Sequence, residues 1–134
     1  MQSEDLVRVL EGEITHAACI DIDAPTLRDV YIIVCPTHLK RILSAYLNGE
    51  INDVSLNLWA QFVSQRGEYV TKCFNEDDEK YDDTYELMWD IINYIATPEI
   101  DGAITPELIH EYLNKIEMYF DNSGNEIDYK LLRV

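Results

Sequence analysis

Apolar residues recur at helical spacing in four stretches of this chain. Leu39, Ile42, Leu43, Tyr46 and Leu47 stand at i, i+3, i+4, i+7 and i+8 and predict a helix over 36–48. Pro36 suits its first position, and Asn48-Gly49 stops it. A second helix, over 53–66, takes its cap from Asn52 or Asp53 and ends at Gly67; its expected buried stripe is Leu58, Trp59, Phe62 and Val63. The short link between the two, Gly49 to Asn52, predicts antiparallel neighbours. A third helix, over 81–97, carries the apolar arc Tyr81, Tyr85, Met88, Trp89, Ile92 and Ile95, widened by Leu87 and Ile91, and Pro98 stops it. The fourth, over 105–120, opens on Thr105-Pro106-Glu107 and turns Leu108, Ile109, Tyr112, Leu113, Ile116 and Phe120 inward. The expected fold is therefore mainly α: a compact bundle of about four amphipathic helices, with a small β element near the N-terminus. Its core should include Leu43, Trp59, Phe62, Ile92, Leu113 and Ile116.

The flanks are less regular. Ser3 is placed to cap a short helix that presents Leu6, Val9 and Leu10 on one face and ends at Gly12. Ile14, Ala18, Ile20 and Ile22 fall on alternate positions, as in a half-buried strand, and Asp23-Ala24-Pro25 reads as a turn. The run Val30 to Val34 is β-branched and aromatic, which favours a strand, although a helix from Pro25 using Leu27, Val30, Tyr31 and Val34 fits nearly as well. Tyr69, Val70 and Phe74 form a short extended piece in the aperiodic stretch 68–80. Asp121 to Asn125 reads as a turn, and Ile127 to Val134 as a tail strand. One domain over 1–134 is expected, with 1–35 the least defined part, 36–120 the helical core and 121–134 a tail. A short echo links Asn48–Trp59 with Asp101–Tyr112, both Gly-x-Ile-polar before an amphipathic helix; its flanks differ, so it marks a recurrent turn rather than a repeat array.

Composition narrows the function. Of 134 residues, 26 are Asp or Glu and 10 are Lys or Arg, a formal net charge of −16. The apolar content of 47% is too high for a disordered acidic tail. No apolar run approaches the ~20 residues of a membrane span, and the first residues, MQSEDLVRVL, have no basic region ahead of an apolar one. A cytoplasmic protein without membrane contact is expected. The acid excess argues against direct nucleic-acid binding, which needs cations to neutralise phosphates, and points to a basic partner. Cys19, Cys35 and Cys73 are odd in number and irregular in spacing, unlike a secreted disulfide framework, and read as buried thiols.

The acids are not evenly spread. At 100° per residue, Asp82, Asp83, Glu86 and Asp90 fall within an arc of about 100° on the third helix. Like charges at i and i+4 repel by about 0.2–0.5 kcal/mol per pair. Acids in a first turn favour the helix dipole, but Asp90 lies too deep for that account. Glu76, Asp77, Asp78 and Glu79 extend the run upstream. Calcium binding does not explain it: a loop begun at Asp121 puts Glu126 where Gly is needed and Leu132 where Glu is needed. His16-x-x-Cys19 and Cys35-x-x-His38 superficially match a zinc set, but their ligand order is mirrored. Cys35 before a helix, with His38 near, is a weak nucleophile candidate without an orienting third group. No phosphate-cradling Gly loop occurs. No metal, cofactor or catalytic residue is expected.

The segments HLKRILSAYLNGEINDVSLNLWAQFV and ELMWDIINYIATPEIDGAITPELIHEYL resemble the small acidic immunity proteins of bacterial polymorphic toxin and contact-dependent growth inhibition systems. The motifs that carry the likeness are Tyr46 to Ile51, Trp59-Ala60 and Pro98 to Gly102, and they lie within Val30–Leu113, about three-fifths of the chain. The resemblance implies a non-enzymatic cytosolic inhibitor of one cognate toxin domain, often a nuclease. The expected contact residues are Asp82, Asp83, Glu86 and Asp90, rimmed by Glu76, Asp77, Asp78 and Glu79. The loops Gly49–Asp53 and Glu99–Thr105 are the next choice. Two readings compete: an acidic nucleic-acid mimic that blocks DNA-binding proteins, and a small metal enzyme built on His16, Cys19, Cys35 and His38.

Overall fold

The computed structural model describes residues 3–13, 25–71, 79–123 and 131–133, and within them the chain is mainly helical. In order it forms α1 (Ser3–Leu10), β1 (Val30–Ile33), α2 (Pro36–Leu47), α3 (Asp53–Gln65), β2 (Tyr69–Val70), α4 (Glu79–Ala96), α5 (Pro98–Asp101), α6 (Pro106–Ser123) and β3 (Leu131–Arg133). The expected strand Ile14–Ile22 and Asp23-Ala24 of the adjoining turn lie outside the described residues, as do Cys73 and Phe74. Helix boundaries follow local chemistry. The Asn52 carboxamide accepts a hydrogen bond from the Ser55 N–H at 2.9 Å, and the Thr105 hydroxyl accepts from the Leu108 N–H at 3.2 Å. Gly49, at φ 79°, takes the left-handed conformation that lets the chain leave α2.

All six expected core residues are buried, in one cluster that joins α1, β1, β2 and the long helices. Three details differ from expectation. On α3 the buried stripe is Leu56, Trp59, Ala60, Phe62 and Val63, while Leu58 points away and is 37% exposed. Helical spacing explains this, because Leu58 lies roughly 130° from the centre of that stripe, beyond its Phe62 margin. α3 also stops at Gln65, and α6 continues through Asp121 to Ser123, where a turn was expected. As expected of neighbours, α2 and α3 touch, and their widest contacts are with later helices, α2 with α6 and α3 with α4.

The strand reading of 30–34 holds over Val30–Ile33, but the β element is not confined to the N-terminal region. β1 is the central strand of the order β2-β1-β3. It pairs in parallel with β2 (Ile32 with Tyr69, Ile33 with Val70) and antiparallel with β3 (Val30 with Arg133, Ile32 with Leu131). The parallel pair requires a crossover, and α2 with α3 supplies it. α1 is seated by two side chains from that crossover and β2. Trp59, fully buried, donates its indole N–H to the Val9 carbonyl at 3.1 Å, and the Tyr69 hydroxyl donates to the Leu6 carbonyl.

Where α3 hands over to β2, Arg66 and Glu68 form a buried bidentate ion pair, with contacts of 2.6 and 3.1 Å. Arg66 also donates to the Pro25 carbonyl at 3.3 Å, and Glu68 accepts from the Leu27 N–H at 2.9 Å. Burial alone raises the Glu68 carboxyl, but the hydrogen bonds from Arg66 and the Leu27 N–H outweigh it and hold the group below the usual carboxylate range. Glu68→Gln should cost about 3–5 kcal/mol at pH 7 by leaving Arg66 buried without its charge partner. Because the folded carboxyl is the more acidic, its stabilisation is complete above about pH 4.3 and fades below it. Urea titrations of both proteins should show the gap constant from pH 8 to 5 and narrowing under pH 4.

Candidate protein-binding surface

α4 turns its outer face to solvent with two of the expected contact residues. Glu86 and Asp90, one turn apart, are both exposed, followed by exposed Asn93 and Tyr94. The Tyr94 ring lies 6.2 Å from that of buried Tyr112 on α6, which anchors this margin of the face. Glu79, Asp82 and Asp83 lie on the first turns of α4, and the description of its side chains begins at Tyr85. Glu76, Asp77 and Asp78 are outside the described residues. The structure thus places Glu86 and Asp90 together on an open surface.

A second feature lies at the other end of α4. The first turn of α3 and the segment 98–104 line a groove of about 290 Å³, with Asp53, Val54, Asn57, Pro98, Ala103 and Ile104 as its walls. Asp53 from one of the two next-choice loops, and Ala103 and Ile104 from the other, thus line one cleft. Val54 in the wall is 66% exposed, and Ile100, on the short α5 between the lining residues Pro98 and Ala103, is 78% exposed without lining the groove itself. Val54 and Leu58 are one turn apart on the face of α3 that points away from the core.

The walls are pinned. Asn57 donates to the Ile95 carbonyl at 2.9 Å, tying α3 to the end of α4, and accepts from Gln61 at 2.7 Å. Tyr46 donates its hydroxyl to the Asp53 carboxylate at 2.8 Å. Burial, that hydrogen bond and the negative charges of Asp53 and Glu107 push the Tyr46 phenol up to about 12. Asp53 and Glu107, from different helices, thus act on the same hydroxyl. Gly102, at φ 113°, sits in the turn from α5 to the strand-like approach to α6.

The signal missed in the sequence is a lack of cations. The stretches 42–65 and 81–114, which hold α3, nearly all of α4, α5 and the first half of α6, contain no Lys or Arg. They hold Glu50 and Asp53 in the first, and Asp82, Asp83, Glu86, Asp90, Glu99, Asp101, Glu107 and Glu111 in the second. Among these, Glu50, Asp53, Glu86, Asp90, Glu99, Glu107 and Glu111 are exposed. Glu111 pairs at 3.5 Å with Lys115, which lies just past the second stretch.

The cysteine and histidine pairs build nothing comparable. His16 and Cys19 lie outside the described residues. Cys35 is fully buried and forms no disulfide, so its expected weak candidacy as a nucleophile meets no access to solvent. His38 serves the backbone instead: its Nδ1 accepts the Cys35 N–H at 2.9 Å at the start of α2. Among the described residues, no three His, Cys, Asp or Glu side chains group as metal ligands, and no helix is long and apolar enough to cross a membrane. Comparison with protein-family models, curated proteins and solved structures finds no match.

Burial, with a smaller contribution from Arg41, pushes the His38 imidazole down to about 3, so it is neutral and able to accept. The unfolded chain takes this proton near pH 6.5 and the folded chain refuses it, so stability is lost as pH falls below 6.5. Relative to His38→Asn, which keeps an acceptor at the same reach, the native protein should lose up to about 1.4 kcal/mol per pH unit between pH 6 and 4. Parallel slopes in urea titrations of the two proteins would contradict this.

Proposed function

We propose that this chain is a non-catalytic inhibitor, an immunity protein of the kind it resembles, which acts in the bacterial cytosol by binding one basic toxin domain, a nuclease by preference. The observation that supports the reading most is that 42–65 and 81–114 contain no Lys or Arg, while Asp53, Glu86, Asp90 and Glu107 within them are exposed. A nuclease must be basic where it grips phosphate. An acidic face of this extent attracts that surface over distances near the Debye length, speeds encounter and disfavours neutral or acidic partners. Inhibition then follows from occupancy, with no bond made or broken.

The test pairs the chain with the toxin domain encoded beside its gene. Expression of that domain alone should arrest growth, and co-expression of this chain should restore it. Failure to protect would sink the reading, and similar binding to several unrelated DNA-binding proteins would replace it with nucleic-acid mimicry. In the combined variant Asp82→Asn, Glu86→Gln, Asp90→Asn, association with the toxin should slow by about tenfold at low salt and depend less on salt. The same variant should be as stable as the parent or slightly more so, because two i,i+4 repulsions are removed.

A further inference from the structure

We infer that the groove between α3 and the 98–104 segment is an anchor pocket for one apolar side chain of a partner protein, presented on a segment with Lys or Arg on either side. The inference rests on the inhibitor reading and adds the site at which such a partner is gripped. Three observations converge on it. The groove holds about 290 Å³, at the small end of ligand clefts, which fits a side chain better than a cofactor. Its apolar lining is open: Val54 is 66% exposed and Ala103 is exposed beside it, with Pro98 and Ile104 half-buried in the same walls. Its surroundings are acidic, with Asp53 in the wall and Glu50, Glu99 and Glu107 exposed on the adjoining turns.

The charge selects the occupant. Neither 42–65 nor 81–114 carries a Lys or Arg, so an anionic lipid surface, a nucleic acid or a second copy of this chain at −16 is repelled from the groove. A basic protein segment is attracted, and its apolar residue finds the one feature there that charge alone does not provide. Hot spots of protein interfaces have this form, a buried apolar anchor inside a polar rim. The walls need little ordering to receive it. Asn57 is already bonded to the end of α4, Asp53 to Tyr46, and the Asn52 and Thr105 caps fix the helix starts on each side.

The probe is a synthetic seven-residue peptide, Arg-Arg-Ser-Phe-Ser-Arg-Arg with blocked ends, titrated into the ¹⁵N-labelled full chain at low salt. A control peptide has Ser in place of Phe. The Phe peptide should bind about tenfold more tightly than the control and shift the amides of Val54, Asn57, Ala103 and Ile104. Val54→Ser and Ala103→Trp, both at exposed positions, should remove the difference between the peptides, the first by stripping a wall and the second by filling the cleft. Amide dispersion of each variant reports that it remains folded. Equal binding of the two peptides, no binding of the Phe peptide, or shifts confined to Glu86–Asp90 would overturn the anchor pocket and leave the inhibitor reading standing. Failure of the toxin-protection assay would instead remove the inhibitor reading, whatever the peptides do.

Discussion

Arg66 and Glu68 are the buried charges among the described residues, and the architecture around them depends on their staying paired. The pair sits where the two-helix crossover ends and β2 begins, and the Glu68 carbonyl accepts the Ile32 N–H of the central strand at 2.8 Å. Its side chains bind Pro25 and Leu27, so the segment that enters β1 is held by the residues that leave α3. A carboxylate without its guanidinium at this point would be costly to bury. With Arg66 present, the same burial becomes a constraint on register: β2 pairs with β1 where the ion pair permits.

That arrangement explains how the molecule tolerates its charge. Among the described residues, one carboxylate is fully buried and paired, while Asp53, Glu86, Asp90, Glu99, Glu107 and Glu111 remain in water. Exposure weakens their mutual repulsion but does not remove it. The core beneath them, with Trp59, Phe62, Met88, Ile92 and Ile116 fully or almost fully buried, supplies the cohesion that allows 42–65 and 81–114 to lack cations. The polar ties are few and well placed: one indole and one phenol seat α1, and one carboxamide closes the end of α4.

What was legible in the sequence was what depends on near neighbours. The periods of α2, α4 and α6, the Asn52 and Thr105 caps, and the Gly49 stop all rest on contacts within a turn or two. Leu58 was misplaced because it stands one turn before Phe62; Leu56, Ala60 and Val63 shift the centre of the stripe away and leave Leu58 outside its margin, beside Val54. The pairing of β1 with β2 and β3 was not legible, because no local pattern states which distant strand a β-branched run will meet. The burial of Arg66 and Glu68 was hidden for the same reason, since the atoms that cover them come from 25–32. For the candidate surface, helical spacing was enough to turn Glu86 and Asp90 outward together. The groove needed the fold, because Asp53 and Ala103 become neighbours only when α3 lies along α4.

The position of β1 has a consequence for the order in which the molecule is assembled. Its two partners lie at very different distances along the chain: Tyr69 follows Ile32 by fewer than forty residues, whereas Arg133 follows Val30 by about a hundred. Closing the longer loop costs more chain entropy and returns only a three-residue ladder. Helix pairs such as α3 with α4 involve shorter loops and larger buried faces. During synthesis, which proceeds from the N-terminus, β1 and β2 can meet as soon as α3 has emerged, while one edge of β1 stays open until residues 131–133 arrive. The nascent chain thus carries an unpaired strand edge while the residues between β1 and β3 are made. The strong negative charge of the polypeptide, by keeping neighbouring nascent chains apart, protects that edge from pairing with the wrong one.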